Sequence, residues 1–481
     1  MTTRHLELRR GTYRDSVRLM QISRALQGVP GVSTALVAMA TGLNLELAAG
    51  MGFTPPDGAA PDDLVIAVAA TDRAALDSAL ARLEADLHDT AAATPEGSAA
   101  VPPRTVGTAV RRSGAGVVLV STPGRYAFLD AMDALNAGVS VMLFSDNVPL
   151  AQEVELKEAA GRRGLLVMGP DCGTAVVAGV GLGFANVVRP GPVGLVAASG
   201  TGAQQVMSLL DAAGVGVSHC LGVGGRDLSS AVAGRSTLAA LDALDADRAT
   251  ELIVLVSKPP DPEVADRVRG YAATLRTPVG YALVGPGRPD LTSAVEGILR
   301  QLDRAVPPSW PVWYPAEPQV SRPGALRGLF AGGTLRDEAM VIASDTLGPI
   351  SPQWTVEPGR RRGHAMVDFG VDELTRGRPH PMIDGTVRLA RLDTEAADPS
   401  CAVILLDVVL GYAADPDPAA SLAPAIAAAR TRGVAVVVSL VGTAGDPQDL
   451  LRQARALCGA GATVFSSNAG AARYAVSLVA A

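Results

Sequence analysis

The stretch "GLVAASGTGAQQV" (residues 194–206) reads as a buried strand that breaks on Ser199, Gly200, Thr201 and Gly202 and then enters a helix. It is echoed by "GLFAGGTLRDEAM" (328–340), which sets Ser199, Gly200 and Thr201 opposite Gly332, Gly333 and Thr334. A second echo joins "LIVLVSKPPDPEVADRVRGYAATLRTPVGYALVG" (252–285) to "LLDVVLGYAADPDPAASLAPAIAAARTRGVAVVVSLVG" (405–442), and both copies give strand, polar turn, Asp-Pro helix start, helix, strand. The two halves are therefore copies of one α/β unit.

Working outward, "LVIAVAA" (64–70), "GVVLVST" (116–122), "VSVMLFS" (139–145) and "GLLVMG" (164–169) alternate with helical patterns such as "YAFLDAMDALNAG". That alternation is the rhythm of parallel sheets covered on both faces. The expected organisation is a first α/β domain over 1–190, a second over 191–305, a linker over 306–324 and a third domain over 325–481 with an inserted segment at 350–384. The linker holds Trp310 and Trp313 among prolines, which suits a clasped strap better than a free tether. Residues 91–105 read as a polar, Pro-rich loop.

In 481 residues, 41 Lys+Arg against 48 Asp+Glu leave a formal charge of −7, with no basic run able to neutralise a phosphate backbone, so nucleic acid is not an expected partner. Cys172, Cys220, Cys401 and Cys458 stand far apart without metal-ligand or disulfide spacing, which fits a reducing cytoplasm and no metal site. No apolar run approaches the roughly 18 residues of a membrane span, and no export segment is expected.

A strand ending in small residues that feeds a helix presents backbone N–H groups and the positive helix end at the carboxyl edge of a sheet. Ser199, Gly200, Thr201, Gly332, Gly333 and Thr334 thus support two readings, plain helix capping and a phosphate or carboxylate clamp shared by the repeats. "GVGGRDLS" (222–229) adds a glycine turn in which Gly224 and Gly225 permit close approach and Asp227 or Ser229 caps the next segment, without matching a nucleotide-binding pattern. Lys258 in "VSKPP" ends a strand and offers a point charge for an anion, or is simply solvated. In the insertion, "GRPHPMID" (377–384) presents Arg378, His380 and Asp384 on a proline-stiffened loop, either as a carboxylate-holding and acid–base group or as plain surface. Arg360, Arg361 and Arg362 read as a solvated run. Gly169, Pro170, Asp171 and Cys172 form a loop at a domain border, where Cys172 reads as a packed cysteine rather than a nucleophile.

"GPDCGT", "GLVAASGTG" and "GVGGRDLS" in that order resemble the succinyl-CoA synthetase α-subunit, and the part from 325 onward looks like the C-terminal ligase domain of its β-subunit. More narrowly, "DSVRLMQISRAL", "LFSDNV", "LLVMGPDCGTA", "GGRDLS", "VSKPP", "AGGTL" and "GRPHPMID" are together similar to the FdrA family. The resemblance implies a Rossmann-like CoA-binding-type domain followed by two flavodoxin-like ligase domains of the succinyl-CoA synthetase type. The wider family carries a phosphohistidine after the α-type ligase strand, and here that region, "YALVGPGRPDLTSAVEGILRQL" (281–302), has no histidine. Its first glycine loop, which receives CoA, is matched to "LRRGTYRDSVRL" (8–19) with the single Gly11, so CoA is possible but no cofactor is certain.

The FdrA resemblance implies a subunit of an oxamate carbamoyltransferase in purine-ring catabolism, working with companion subunits in a hetero-oligomer. Its small-molecule substrates would be an acyl phosphate, carbamoyl phosphate, and a carboxylate/amide acceptor, oxamate. The phosphate would lie on Ser199–Thr201 and Gly332–Thr334 with Lys258, and the oxamate on Arg378 and His380. Two other readings stand beside it: an acyl-CoA synthetase that uses a separate nucleotide-binding subunit, and a non-catalytic scaffold.

Overall fold

The computed structural model describes residues 3–56, 58–88, 103–352, 363–375 and 378–479. Residues 91–102 of the expected 91–105 loop, and Arg360, Arg361 and Arg362, lie outside the described residues. The chain divides into two compact units, one of residues 1–102 with 370–384, the other of 103–369 with 385–481.

The first unit runs β1 (Thr3–Arg9), α1 (Ser16–Gln27), β2 (Val32–Met39), α2 (Gly42–Gly50), β3 (Leu64–Ala70) and α3 (Arg73–His88). β3 is central, with β1 and β2 antiparallel on either side. Leu19, Ile22 and Leu26 of α1 and Leu76 and Leu83 of α3 pack on Ile66 and Val68, while Ala48 and Phe53 cover Ala67 and Ala69 on the other face. Burial on both faces explains why "LVIAVAA" is apolar throughout. It also explains the departure from the expected single parallel domain over 1–190, because a doubly covered strand reads the same with antiparallel neighbours as with parallel ones.

The second unit opens with α4 (Val106–Ser113), β4 (Val117–Val120), α5 (Gly124–Asn136), β5 (Ser140–Leu143), α6 (Leu150–Gly161) and β6 (Val167–Met168). Its three strands are parallel in the order β4-β5-β6, a half-sized Rossmann-like layer.

The first repeat follows: β7 (Thr174–Val177), β8 (Val180–Gly183), β9 (Val193–Ala197), α7 (Gly200–Ala212), β10 (Val217–Gly222), α8 (Arg235–Ala246), β11 (Leu252–Ser257), α9 (Pro262–Ala272), β12 (Val279–Leu283) and α10 (Leu291–Gln301). The second holds β13 (Val312–Trp313), β14 (Ala325–Phe330), α11 (Gly333–Leu347), β15 (Ala365–Asp368), α13 (Thr386–Ala397), β16 (Cys401–Val409), α14 (Pro418–Thr431), β17 (Ala435–Val441), α15 (Leu450–Gly459), β18 (Thr463–Phe465) and α16 (Asn468–Ser477); the short α12 (Asp372–Thr375) belongs to the first unit.

The first sheet is ordered β12-β11-β9-β10-β7-β8 and the second β13-β18-β17-β16-β14-β15. Matching β9, β10, β11 and β12 to β14, β15, β16 and β17 gives the same strand order in both, which establishes the internal repeat in three dimensions. β15 has a counterpart in the first copy, so of the inserted 350–384 segment it is 370–384 that leaves the repeat for the first unit. The linker is a clasped strap: Trp310 Nε1 donates to Glu296 Oε1 at 3.1 Å, β13 pairs with β18, and buried Gln319 donates to the carbonyls of Val436 at 3.0 Å and Gly461 at 2.8 Å.

A buried charge cluster ties α6 to the "GGRDLS" turn. Lys157 Nζ meets Glu153 at 2.9 Å and Asp227 at 2.8 Å with all three side chains excluded from solvent, and Asp227 also accepts from the amides of Ser236 and Thr237 at the start of α8. Deleting one partner of such a cluster strands the others without solvation. Lys157→Met is expected to lower the unfolding free energy by about 3–5 kcal/mol, measured by urea denaturation.

Candidate functional site

The two loops that the sequence sets opposite one another meet. Ser199 is the N-cap of α7, and its Oγ accepts from the Gly202 amide at 3.0 Å while donating to Thr334 Oγ1 at 2.6 Å across the repeats. One hydroxyl thus both caps α7 and bonds the facing loop of the other repeat. A Cβ on Gly332 would stand 2.5 Å from Thr201 Oγ1, and one on Gly202 would stand 3.1 Å from Thr334 Cγ2, so the glycines set how closely the helix starts approach. α11 begins at Gly332 without a side-chain cap. The Thr201 hydroxyl forms no hydrogen bond among the described residues.

The loop before α11 is held from below. Asp407, buried in β16, accepts from the amides of Ala331 at 2.7 Å and Gly332 at 2.9 Å, and from Arg388 Nη1 at 2.7 Å. Burial works against the Asp407 charge, while Arg388 and the two amides favour it. These amides are therefore already occupied, so any donor this loop offers a ligand comes from the first turn of α11.

Lys258 follows β11 and lies beside Gly333, where an added Cβ would come within 2.9 Å of its Nζ. It is paired with Asp337 at 2.9 Å, and Arg336 Nε reaches the same carboxylate at 2.8 Å. The Asp368 carboxylate also faces Gly333. The expected point charge is present, but the protein already balances it.

Gly224 has φ +89, and its α-carbon sits so close to the Gly169–Pro170 backbone that a Cβ would lie 2.7 Å from the Pro170 carbonyl oxygen. Gly225 faces open space apart from the Ala198 oxygen at 4.0 Å from a built Cβ, and Asp171 adopts φ +54. Cys172 is buried with its thiol pushed up to about 12 by desolvation, which suits packing and not nucleophilic attack. The 169–174, 199–202, 222–225 and 332–334 loops and Lys258 thus share one sheet-edge region of the second unit.

Arg378, His380 and Asp384 belong instead to the first unit. Arg378 Nη1 donates to Asn44 Oδ1 at 3.1 Å, its Nη2 lies 3.8 Å from Asp384, and His380 Nδ1 accepts from the Met382 amide at 3.2 Å. Gly11 also lies there, in the β1–α1 loop with its amide donating to Asp63 Oδ1 at 2.8 Å. The match of 8–19 to a CoA-binding glycine loop is thereby corrected, since this loop opens an antiparallel unit and not a parallel βαβ layer.

Sequence reasoning passed over Asp407 and Glu338. Asp407 was visible as a lone charge inside the apolar run "VILLDVVL". Glu338 was visible as the repeat counterpart of Gln205, one helical turn after Thr334. Gln205 and Glu338 each cap the other repeat's last helix, because the Asn468 amide donates to Gln205 Oε1 at 3.1 Å and the Leu291 amide donates to Glu338 Oε1 at 2.6 Å.

Two parallel-sheet repeats facing one another through helix N-termini define a CoA-ligase-type α/β protein. A family model described as CoA-ligase matches residues 329–478, and one described as AllF, heavy metal-associated domain, matches residues 1–103. The chain is 37% identical over 494 aligned positions to the uncharacterized protein YahF of Escherichia coli (strain K12), covering 95% of each chain. It belongs to the YahF family. It is also 28% identical over 186 residues to succinate–CoA ligase [ADP-forming] subunit alpha 2 of Archaeoglobus fulgidus, a match spanning 36% of this chain and 63% of that one. Among solved structures, the dinucleotide-forming acetyl-coenzyme A synthetase 1 of Ca. Korarchaeum cryptofilum aligns over 75% of this chain and 82% of its own at 17% identity and a TM-score of 0.28.

The metal in the first family's description does not fit the residues present. All four cysteines lie beyond residue 103, leaving none of the soft thiolate ligands that heavy metals favour, and the described residues hold no cluster of three or more His, Cys, Asp or Glu side chains.

Burial pushes the Glu338 carboxyl up to about 7 from its ordinary 4.5, against the hydrogen bonds from Asn468 and Leu291 that pull it down. Between these values the folded chain holds a proton that the unfolded chain has lost, so folding stability drains away as pH rises from 4.5 to about 7. Relative to Glu338→Gln, the unfolding free energy of the wild type should fall across that window by up to about 1.4 kcal/mol per pH unit and level off above it, read from denaturation curves at several pH values.

Proposed function

We propose that the clamp holds the phosphate of an acyl phosphate and that the chain is a subunit of an oxamate carbamoyltransferase. The observation that supports this reading is the 2.6 Å Ser199–Thr334 hydrogen bond, which brings two helix N-termini together, where an anion would find the positive ends of both. In the transfer, the acceptor amide nitrogen attacks the carbamoyl carbon and loses a proton to solvent. The carbon–oxygen bond to the phosphate breaks, and phosphate departs with the electron pair. Helix amides and the Thr201 hydroxyl would receive the growing charge on the leaving phosphate, and Lys258 would exchange Asp337 for it.

The family's relay chemistry is less well supported. Of the five histidines, His219 is engaged with the Ala178 amide and near Asp247, His364 accepts from the Leu326 amide, and His5, His88 and His380 belong to the first unit. The competing reading, an acyl-CoA synthetase subunit, draws on the CoA-ligase match and the likeness to a succinate–CoA ligase α-subunit.

The test is phosphate release from carbamoyl phosphate with and without oxamate, using the chain co-expressed with its companion subunits, beside a control with CoA, ATP and succinate. Oxamate-dependent release is expected, falling about 10- to 1,000-fold in Thr334→Val and Lys258→Ala. Turnover only in the CoA control would replace the proposal with the ligase, and full activity in both variants would leave the clamp without a role in the chemistry.

A further inference from the structure

The first unit contains a second cluster of unspent donors. Arg378 brings five N–H donors, yet its side chain is only 8% exposed, and its one side-chain hydrogen bond among the described residues goes to Asn44 Oδ1 at 3.1 Å. Asp384, at 3.8 Å, is beyond hydrogen-bond reach of it. Burial lowers the Arg378 pKa and Asp384 raises it, the mark of a cation taken from water with partial compensation.

Asn44 places this guanidinium at the start of α2. It stands in the first turn of that nine-residue helix, and its Nδ2 donates to the Met39 carbonyl at 2.8 Å, which fixes the amide with its oxygen toward Arg378. Thr41 is the N-cap of the same helix. A capping threonine ordinarily accepts from the second or third helical amide, but Thr41 makes no such bond; it is 6% exposed and its hydroxyl is buried without a partner among the described residues. The first turn of α2 carries no acidic residue. The orphaned hydroxyl and Asn44, which meets the under-used guanidinium, thus stand within one turn at a positive helix end, and no acceptor for that hydroxyl is present there among the described residues.

We infer that Arg378, Asn44 and Thr41 form a binding site for a small carboxylate within the first unit. A planar carboxylate matches the guanidinium fork. Asp384 offsets part of the local positive charge, which favours a monoanion over doubly charged phosphate. The site goes beyond the clamp reading and stands whether or not the clamp holds phosphate.

The test is isothermal titration of the intact chain with acetate, oxamate and inorganic phosphate. Both carboxylates are expected to bind, and the binding lost in Arg378→Met is expected to be weaker for phosphate than for either carboxylate. Arg378→Met should abolish this carboxylate binding. Thr41→Val removes a hydroxyl that bonds to nothing, so it should fold as the wild type does while weakening carboxylate binding about 3- to 10-fold. If Arg378→Met fails to fold, the Thr41→Val titration decides. The inference falls if neither carboxylate binds the wild-type chain, if Thr41→Val and Arg378→Met bind as the wild type does, or if phosphate binds more tightly than the carboxylates and is lost in Arg378→Met.

Discussion

The hydrogen bond from Ser199 to Thr334 is the contact on which the second unit turns, because it brings together two groups that electrostatics would separate. Each belongs to a helix whose first turn carries roughly half a positive charge, and two such ends at one point repel unless something negative lies between or beneath them. The protein supplies part of that charge itself. Asp407 sits under the Gly332 loop, and Asp337 and Asp368 lie beside Lys258 and Gly333. A bound phosphate would complete the neutralisation from above.

That approach is locked by bonds that the repeat makes twice. Gln205 and Glu338 occupy equivalent places on α7 and α11, and each caps the opposite repeat's final helix. Between the hydroxyls of Thr292 and Ser467, at the starts of α10 and α16, a 2.7 Å hydrogen bond joins the same interface at these capped helix ends. The locus at the clamp belongs to neither repeat alone, so a single copy would have one helix start and no clamp. The Trp310 strap keeps the two copies in one chain and extends the second sheet through β13.

The repeat and its two paired loops were legible because both rest on local grammar: small residues at a strand end, followed by a helix. The long apolar runs likewise gave the strands of both ligase-type sheets. What was not legible is what neighbours decide. "LVIAVAA" could not say that its partners run antiparallel, so the first hundred residues looked continuous with the Rossmann-like layer at 117–168. "GRPHPMID" could not say that its arginine meets Asn44, more than three hundred residues earlier. Lys258 looked like an open charge because Asp337, its partner, comes from the other repeat. Glu338 looked like one of many helical glutamates until burial set it apart.

The most direct measurement is a ³¹P NMR titration of carbamoyl phosphate with the intact chain and with Thr334→Val and Thr201→Val. The account predicts broadening of the carbamoyl phosphate resonance by the wild-type chain and weaker binding in both variants, since the two threonines reach one anion from different repeats. Binding that ignores both substitutions, or no binding by the wild type, would contradict a shared clamp and leave the two loops as ordinary helix starts.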